Sequence, residues 1–256
     1  MSIGITLMNG KGGAGKSTIA IILADILAEA GQRVAIVDTD ARQNMVAWWA
    51  DCKKNEMQRP GLSIVSTTNA ATIEASSDQL FERFDCVIFD TAGQDTTIPA
   101  VCLARSDILV SPVQVAKREI VGVHDANMLL KSLIKQNLLP PTTPHYIVPT
   151  RTTLTSQHTD IYKTLNLFIG QLGAKRAGCD IADRNFYKEL QNGMSTIVGY
   201  TPEKQSQIDS HRKMLIEAAT ITFEVAKLVQ KPEGQAISAA IEQMMSAKNI
   251  KITSAY

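Results

Sequence analysis

Short, uninterrupted apolar runs alternate along the chain with stretches of helical period. Ile3–Met8 is the first run. Arg33–Asp38 (RVAIVD), Leu62–Ser66, Asp85–Asp90 (DCVIFD), Asp107–Pro112 (DILVSP) and His145–Pro149 (HYIVP) repeat its form. Runs without polar alternation are what a strand covered on both faces requires. Ser195–Tyr200 (STIVGY) reads as a last strand of the same kind. Between the runs, Ser17–Ala30 carries apolar residues at helical spacing (Ile19, Ile22, Leu23, Ile26, Leu27) and stops at Gly31; Val121–Gln136 and His211–Gln230 are further predicted helices. Strand–helix alternation implies right-handed crossovers, so the predicted fold is α/β. It is a single-domain, doubly wound, mainly parallel sheet with helices on both faces. Residues 1–230 are expected to form that domain. Residues 231–256, with Ile237, Ile241, Met244 and Met245 at helical spacing, are expected to form a C-terminal helical extension or tail. The Pro140-Pro141-Thr142-Thr143-Pro144 stretch reads as a connection within the domain.

Composition narrows the class without naming a function. At 256 residues the chain can bury a core without covalent staples. Cys52, Cys86, Cys102 and Cys179 are scattered with no CxxC pair, so neither zinc nor an iron–sulfur cluster is signalled, and reduced thiols in a cytoplasm are expected. No run of eighteen apolar residues exists, the opening MSIGITLMNG lacks a basic region, and the C-terminal stretch has few basic residues, so no membrane association is expected. The formal net charge is +1. Residues 1–150 hold 13 basic and 15 acidic side chains, and residues 151–256 hold 13 and 10, a mild tilt of the second half toward phosphate partners.

The chemistry concentrates in NGKGGAGKST, residues 9–18, set between the first run and the first helix. Gly10, Lys16 and Ser17 satisfy GxxxxGK[ST]. In such a loop the small residues Gly10, Gly12, Gly13, Ala14 and Gly15 let backbone N–H groups wrap phosphates, and the helix N-terminus adds a positive dipole end. Lys16 is expected to reach the β- and γ-phosphates, Ser17 to ligate Mg²⁺, and Thr18 to continue the cradle. Asp90, ending an apolar strand, is the expected second carboxylate for Mg²⁺. Gly93 follows it where a backbone N–H would sense the γ-phosphate. Lys11 is a second lysine, five residues before Lys16, and has no task in its own loop. Either it is solvated, or it points outward to the nucleotide of another subunit, as an arginine finger does.

The run KGGAGKST resembles the deviant Walker A sequence of the ParA/MinD family of P-loop ATPases. The resemblance implies ATP and Mg²⁺ as ligands, slow hydrolysis, and a homodimer on ATP binding in which Lys11 crosses to the partner's phosphates. Val37-Asp38-Thr39-Asp40 is similar to the family's DxD stretch, which implies that Asp40 orients the attacking water and that Asp38 lies near the Mg²⁺ water shell. The family continues with Pro-Gln-Gly-Asn; here Ala41-Arg42-Gln43-Asn44 matches only at Asn44. Late in the chain Asp183-Arg184-Asn185, Gly193 and Tyr200-Thr201-Pro202 resemble the ParA run in which an arginine binds DNA without sequence preference, which places Arg184 in that role. Pro202 and Arg151 are then expected beside the base.

Lys175, Arg176 and Lys188 join Arg184 as candidate DNA contacts, and Lys117-Arg118 is a further basic pair. The family resemblance implies a cytoplasmic, nucleoid-associated protein that partitions or positions plasmid or chromosomal DNA, stimulated by a ParB-like or relaxosome-type protein. Leu154-Thr155-Ser156-Gln157 looks similar to relatives that assist conjugative DNA transfer. A P-loop metabolic ligase or synthetase is the alternative from another class. Asp90-Thr91-Ala92-Gly93-Gln94 is similar to the DTAGQ of small G proteins, but Pro149-Thr150-Arg151-Thr152 stands where a guanine reader would need N-K-x-D.

Overall fold

The computed structural model describes residues 2–10, 13–93, 97–200, 202 and 204–252. In chain order the elements are β1 (Ile3–Leu7), α1 (Lys16–Glu29), β2 (Val34–Asp38), α2 (Asn44–Lys54), β3 (Leu62–Ser66), α3 (Ala70–Arg83), β4 (Cys86–Asp90), α4 (Thr97–Ala104), β5 (Ile108–Gln114) and α5 (Lys117–Lys135). They continue with β6 (His145–Thr152), α6 (Leu154–Gln157), α7 (Asp160–Leu172), β7 (Lys175–Arg176), β8 (Ile181–Ala182), α8 (Phe186–Gln191), α9 (Gln205–Leu228) and α10 (Pro232–Ala247). One sheet runs β3-β2-β4-β1-β5-β6-β7, with β8 also beside β6. Every pairing is parallel. β4 lies between β1 and β2, and β5 lies on the other side of β1. The strand order therefore reverses at β1, and ligands of open α/β sheets bind beyond the carboxyl ends of strands at such a point.

Alternation along β1 distributes the core. Ile3, Ile5 and Leu7 join one cluster with α1, α9 and α10, while Met8 joins another with Leu109, Ala126 and Leu130. The opposite face takes α4 so closely that a Cβ on Gly4 would lie 2.6 Å from the Arg105 carbonyl. α10 begins at Pro232, where the ring's fixed φ suits a first helical turn. Its Ile237, Ile241 and Met245 are buried in the core shared with α1 and α9.

Ser195–Tyr200 is not a strand but a turn. Its Ile197 N–H donates to Asp25 Oδ2 at 2.6 Å, Val198 N–H donates to the same oxygen at 3.2 Å, and Gly199 N–H donates to Thr196 Oγ1 at 2.9 Å. Ile197 is buried in the core, and that accounts for the apolar signal. Side-chain acceptors satisfy the backbone that a strand would have paired. The sheet edge is supplied instead by β7 and β8, each too short to show a period.

Candidate nucleotide site

Three strand ends meet at the switch point. Leu7 pairs with Asp90, and Asp38 pairs with Asp90, in adjacent registers. The loop that follows β1 enters α1 through Gly13 (φ 88) and Gly15 (φ 105), a left-handed backbone that glycine accepts at little cost. Asn9 Nδ2 donates to the Pro112 carbonyl at 2.8 Å, and Gly10 lies against α5, where its missing Cβ would be 3.4 Å from the Gly122 Cα. Lys11 and Gly12 lie outside the described residues, as does Gln94.

Lys16 is buried, and its ammonium donates to the Asn9 carbonyl at 3.4 Å. Burial lowers its pKa; Asp90, Asp40 and Glu119 act in the opposite direction. Asp90 is buried at the end of β4, and burial pushes its carboxyl up to about 7, with Asp38 and Asp40 adding to the rise. A hydrogen bond with Ser17 and the charge of Lys16 oppose it. Among the described residues, Asp90 Oδ1 has no hydrogen-bond partner. A buried carboxylate oxygen without a donor is costly unless a cation completes it. With the Ser17 hydroxyl beside it, this hard-oxygen pair fits Mg²⁺, which is held by few protein oxygens and keeps its remaining places for water and phosphate.

Asp38 is fully buried and is used differently from Asp90. Its Oδ1 accepts from Asp40 N–H at 3.1 Å and its Oδ2 from Met45 N–H at 2.9 Å, so it ties the end of β2 to the first turn of α2. Burial raises its pKa, and these backbone donors act against the rise. Between them the chain turns through Gln43 at φ 50, a strained position for a side chain-bearing residue. Asp38 is thus a brace for the turn, and Asp40 is the carboxylate that faces the cleft. That cleft has a volume of about 450 Å³ and is lined by Gly13, Lys16, Ser17, Asp40, Asp90 and Gly93, among others.

A second cavity of about 250 Å³ adjoins it, with Gly15, Thr18, Arg151 and Gln191 common to both. Arg151 sits there at φ 52. Ile181, Asp183 and Tyr187 line only the second cavity. Ile181, Tyr187 and the shared Gln191 were not expected from the sequence; β8, with two residues, gives no readable signal. Gln191 Nε2 donates to Thr18 Oγ1, which joins α8 to α1. Trp48 Nε1 donates to the Leu190 carbonyl at 2.8 Å, which joins α2 to α8. Pro202, expected beside the base, lines neither cavity. The turn anchored on Asp25 holds the preceding segment, and β8–α8 makes the wall instead.

The basic candidates are held by different partners. Arg184 and Lys188 border the second cavity, and Lys175 and Arg176 form β7, paired with Tyr146 and Ile147 near the start of β6. Arg184 forms a two-pronged ion pair with Glu217 of α9 (Nη2 to Oε1 2.7 Å), and only 17% of its side chain is exposed. Arg176 donates to Asn166, Tyr162 and Asp180, which fixes its guanidinium in the protein. Lys188 is exposed and donates to Asn185 Oδ1 at 3.3 Å.

A strand, a glycine-rich lysine loop and a helix at the reversal of a parallel sheet, with an acidic strand end beside them, define a P-loop nucleotide-binding protein. The chain resembles the ParA/MinD family of deviant Walker A P-loop ATPases in sequence and fold. The family described as "ATPase MipZ" matches residues 3–117. The chain is 27% identical over 140 residues to protein virC1 of Rhizobium radiobacter, covering 54% of this chain and 61% of that protein. It is 30% identical over 148 residues to maintenance of carboxysome distribution protein A of Gloeobacter kilaueensis, covering 57% and 62%. It therefore spans about three fifths of the length of these curated relatives. The structure of Cyanothece McdA in an ATP complex superposes with a TM-score of 0.62 at 14% identity, over 98% of each chain, and shows the shared fold.

Proposed function

We propose that this protein is a ParA-like ATPase that closes into an ATP-sandwich homodimer, binds DNA without sequence preference and drives the partition or positioning of plasmid or chromosomal DNA. The observation that carries the reading is the buried Asp90 oxygen without a partner, set beside Ser17 and Lys16 in a cleft large enough for a nucleotide. ATP is the substrate. Mg²⁺, held by Ser17 and Asp90, supplies charge neutralisation on the phosphates when bound. Lys16 places its ammonium on the β- and γ-phosphates, and the loop amides wrap them. Asp40, at the cleft wall, orients the attacking water, and Asp38 holds Asp40 in place through its backbone N–H. Lys11 reaches the partner's nucleotide. Arg151 and the β8–α8 wall take the nucleoside. The chemistry is positioning and charge stabilisation, so turnover is slow and the nucleotide state times assembly.

Among the described residues no helix is long and apolar enough to cross a membrane, and we place the protein in the cytoplasm on the nucleoid, with a ParB-like or relaxosome-type stimulating partner. Lys188, exposed at the rim, is the first candidate for a phosphate contact; Arg184 must leave Glu217 to make one. The similarity of Leu154–Gln157, an exposed short helix directly after β6, to relatives that assist conjugation favours a second reading, an accessory ATPase for conjugative DNA transfer. The test is binding to a random-sequence duplex with ATP, with ADP and with no nucleotide, across a salt series. ATP-dependent binding with a steep salt slope supports the proposal. No binding in any state refutes the DNA reading and moves weight to a protein-cargo positioner or a P-loop ligase or synthetase.

A further inference from the structure

Gln114 and Thr150 are neighbours in the β5–β6 register: the last residue of β5 pairs with the sixth of the eight residues of β6. Each donates from its side chain to the phosphate loop. Gln114 Nε2 donates to the Gly13 carbonyl at 2.7 Å, and Thr150 Oγ1 donates to the Ala14 carbonyl at 2.9 Å. Two strand ends thus hold two consecutive carbonyls of one loop. We propose that Gln114 and Thr150 are positioning residues that aim the Ala14 and Gly15 amides at the nucleotide phosphates. The inference rests on the nucleotide reading above.

In a planar trans peptide the carbonyl of one residue and the N–H of the next point in opposite directions. Fixing the Gly13 carbonyl toward Gln114 turns the Ala14 N–H away from β5, and fixing the Ala14 carbonyl toward Thr150 turns the Gly15 N–H away from β6. Both amides then face the cleft side of the loop, where successive N–H groups form an anion-binding concavity. Glycines at φ 88 and φ 105 leave this loop few intrinsic preferences, so the orientation must come from outside it. Thr150 also packs beneath Gly15: a Cβ there would lie 3.5 Å from Thr150 Cγ2 and 3.6 Å from its Oγ1. Thr150 is buried, which keeps water from replacing its bond. Neither residue touches the phosphates in this scheme.

The test compares Thr150→Val, Thr150→Ser, Gln114→Met and the Thr150→Val/Gln114→Met double variant in the full chain. Calorimetry measures affinity for the ATP analogue AMPPNP, for ADP and for adenosine, the last by competition. Losing one tether should weaken AMPPNP and ADP roughly five- to tenfold, in line with one hydrogen bond. The double variant should lose more than either single one. In Gln114→Met adenosine affinity should stay within about twofold, because Gln114, unlike Thr150, does not line the cavity assigned to the nucleoside, and Thr150→Ser should restore ADP binding. Equal losses for adenosine and ADP in Gln114→Met would mark general damage and overturn the assignment. So would wild-type affinity for ADP in the double variant, with the nucleotide reading left standing. A wild-type protein that binds neither AMPPNP nor ADP would overturn both.

Discussion

Asp25 lies in the middle of α1, nearly inaccessible, and serves three donors from two distant segments. Oδ2 takes the Ile197 and Val198 amides at 2.6 and 3.2 Å, and Oδ1 takes Arg59 Nε. Arg59 continues to Glu29 at 2.9 Å, and Lys248 reaches the other Glu29 oxygen at 3.2 Å. Asp25→Ala leaves the buried Ile197 amide without an acceptor, at about 1–3 kcal/mol. It also leaves the Arg59 guanidinium, already with one buried nitrogen unpartnered, to Glu29 alone. Breaking a buried pair from one side costs about 3–5 kcal/mol, of which the amide is part, so a total near 4 kcal/mol is expected. Arg59→Ala is milder, about 1–2 kcal/mol, because the carboxylate keeps both backbone donors. Urea unfolding of the two single variants and the double variant measures this asymmetry. The double variant should recover about 1–2 kcal/mol relative to the sum. Should Asp25→Ala cost under about 1 kcal/mol, or should Arg59→Ala cost as much as Asp25→Ala, the claim that this carboxylate organises the 195–200 turn fails.

His145 is buried, with Nε2 2.8 Å from Ser111 Oγ and Nδ1 3.1 Å from the Asn127 amide, and burial, aided by Lys131, depresses its pKa to about 3. A depressed folded-state pKa contributes stability above the unfolded value near 6.5 that is lost as pH falls toward 3, so between pH 6.5 and 4.5 the wild type should lose about 2 kcal/mol more than His145→Gln in chemical denaturation. In Gly122→Ala the new methyl would meet Asn9 Oδ1 at 2.0 Å and Gly10 N at 2.9 Å. Stability should fall by about 1–3 kcal/mol, and ATP affinity should fall with it; unchanged affinity by nucleotide titration would count against α5 as the loop's back wall. Lys11→Ala should keep ATP binding and lose ATP-dependent dimerisation, whereas Asp40→Ala should accumulate an ATP-bound dimer; light scattering in excess ATP separates them, and a monomeric Asp40→Ala contradicts the sandwich.

The alternation of strands and helices was legible because buried parallel strands are apolar on both faces: β3 was read at Leu62–Ser66 and found there, and β2 differs by one residue. The loop was legible because its chemistry is contiguous. STIVGY misled because a buried turn can be as apolar as a strand, and its anchor, Asp25, is about 170 residues away in sequence. The β8–α8 wall was invisible for the converse reason. Its residues point into the second cavity through tertiary placement, with no local pattern to announce them. Asp38 and Asp40 look alike as a DxD pair, yet Asp38 braces the backbone while Asp40 lines the cleft. Only the structure separates the two roles.

The insertion of β4 between β1 and β2 has a consequence for how the protein matures. Leu7, Asp90 and Asp38 come into line only when β4 threads between two strands that precede it in the chain. An emerging polypeptide that has released β1, α1 and β2 already holds every glycine and lysine of the loop and Asp38, but not Asp90. It must wait for β4 before the sheet's centre exists. Binding competence therefore requires β4 in place. A bound nucleotide would protect the central strand amides against hydrogen exchange together, as one cooperative unit.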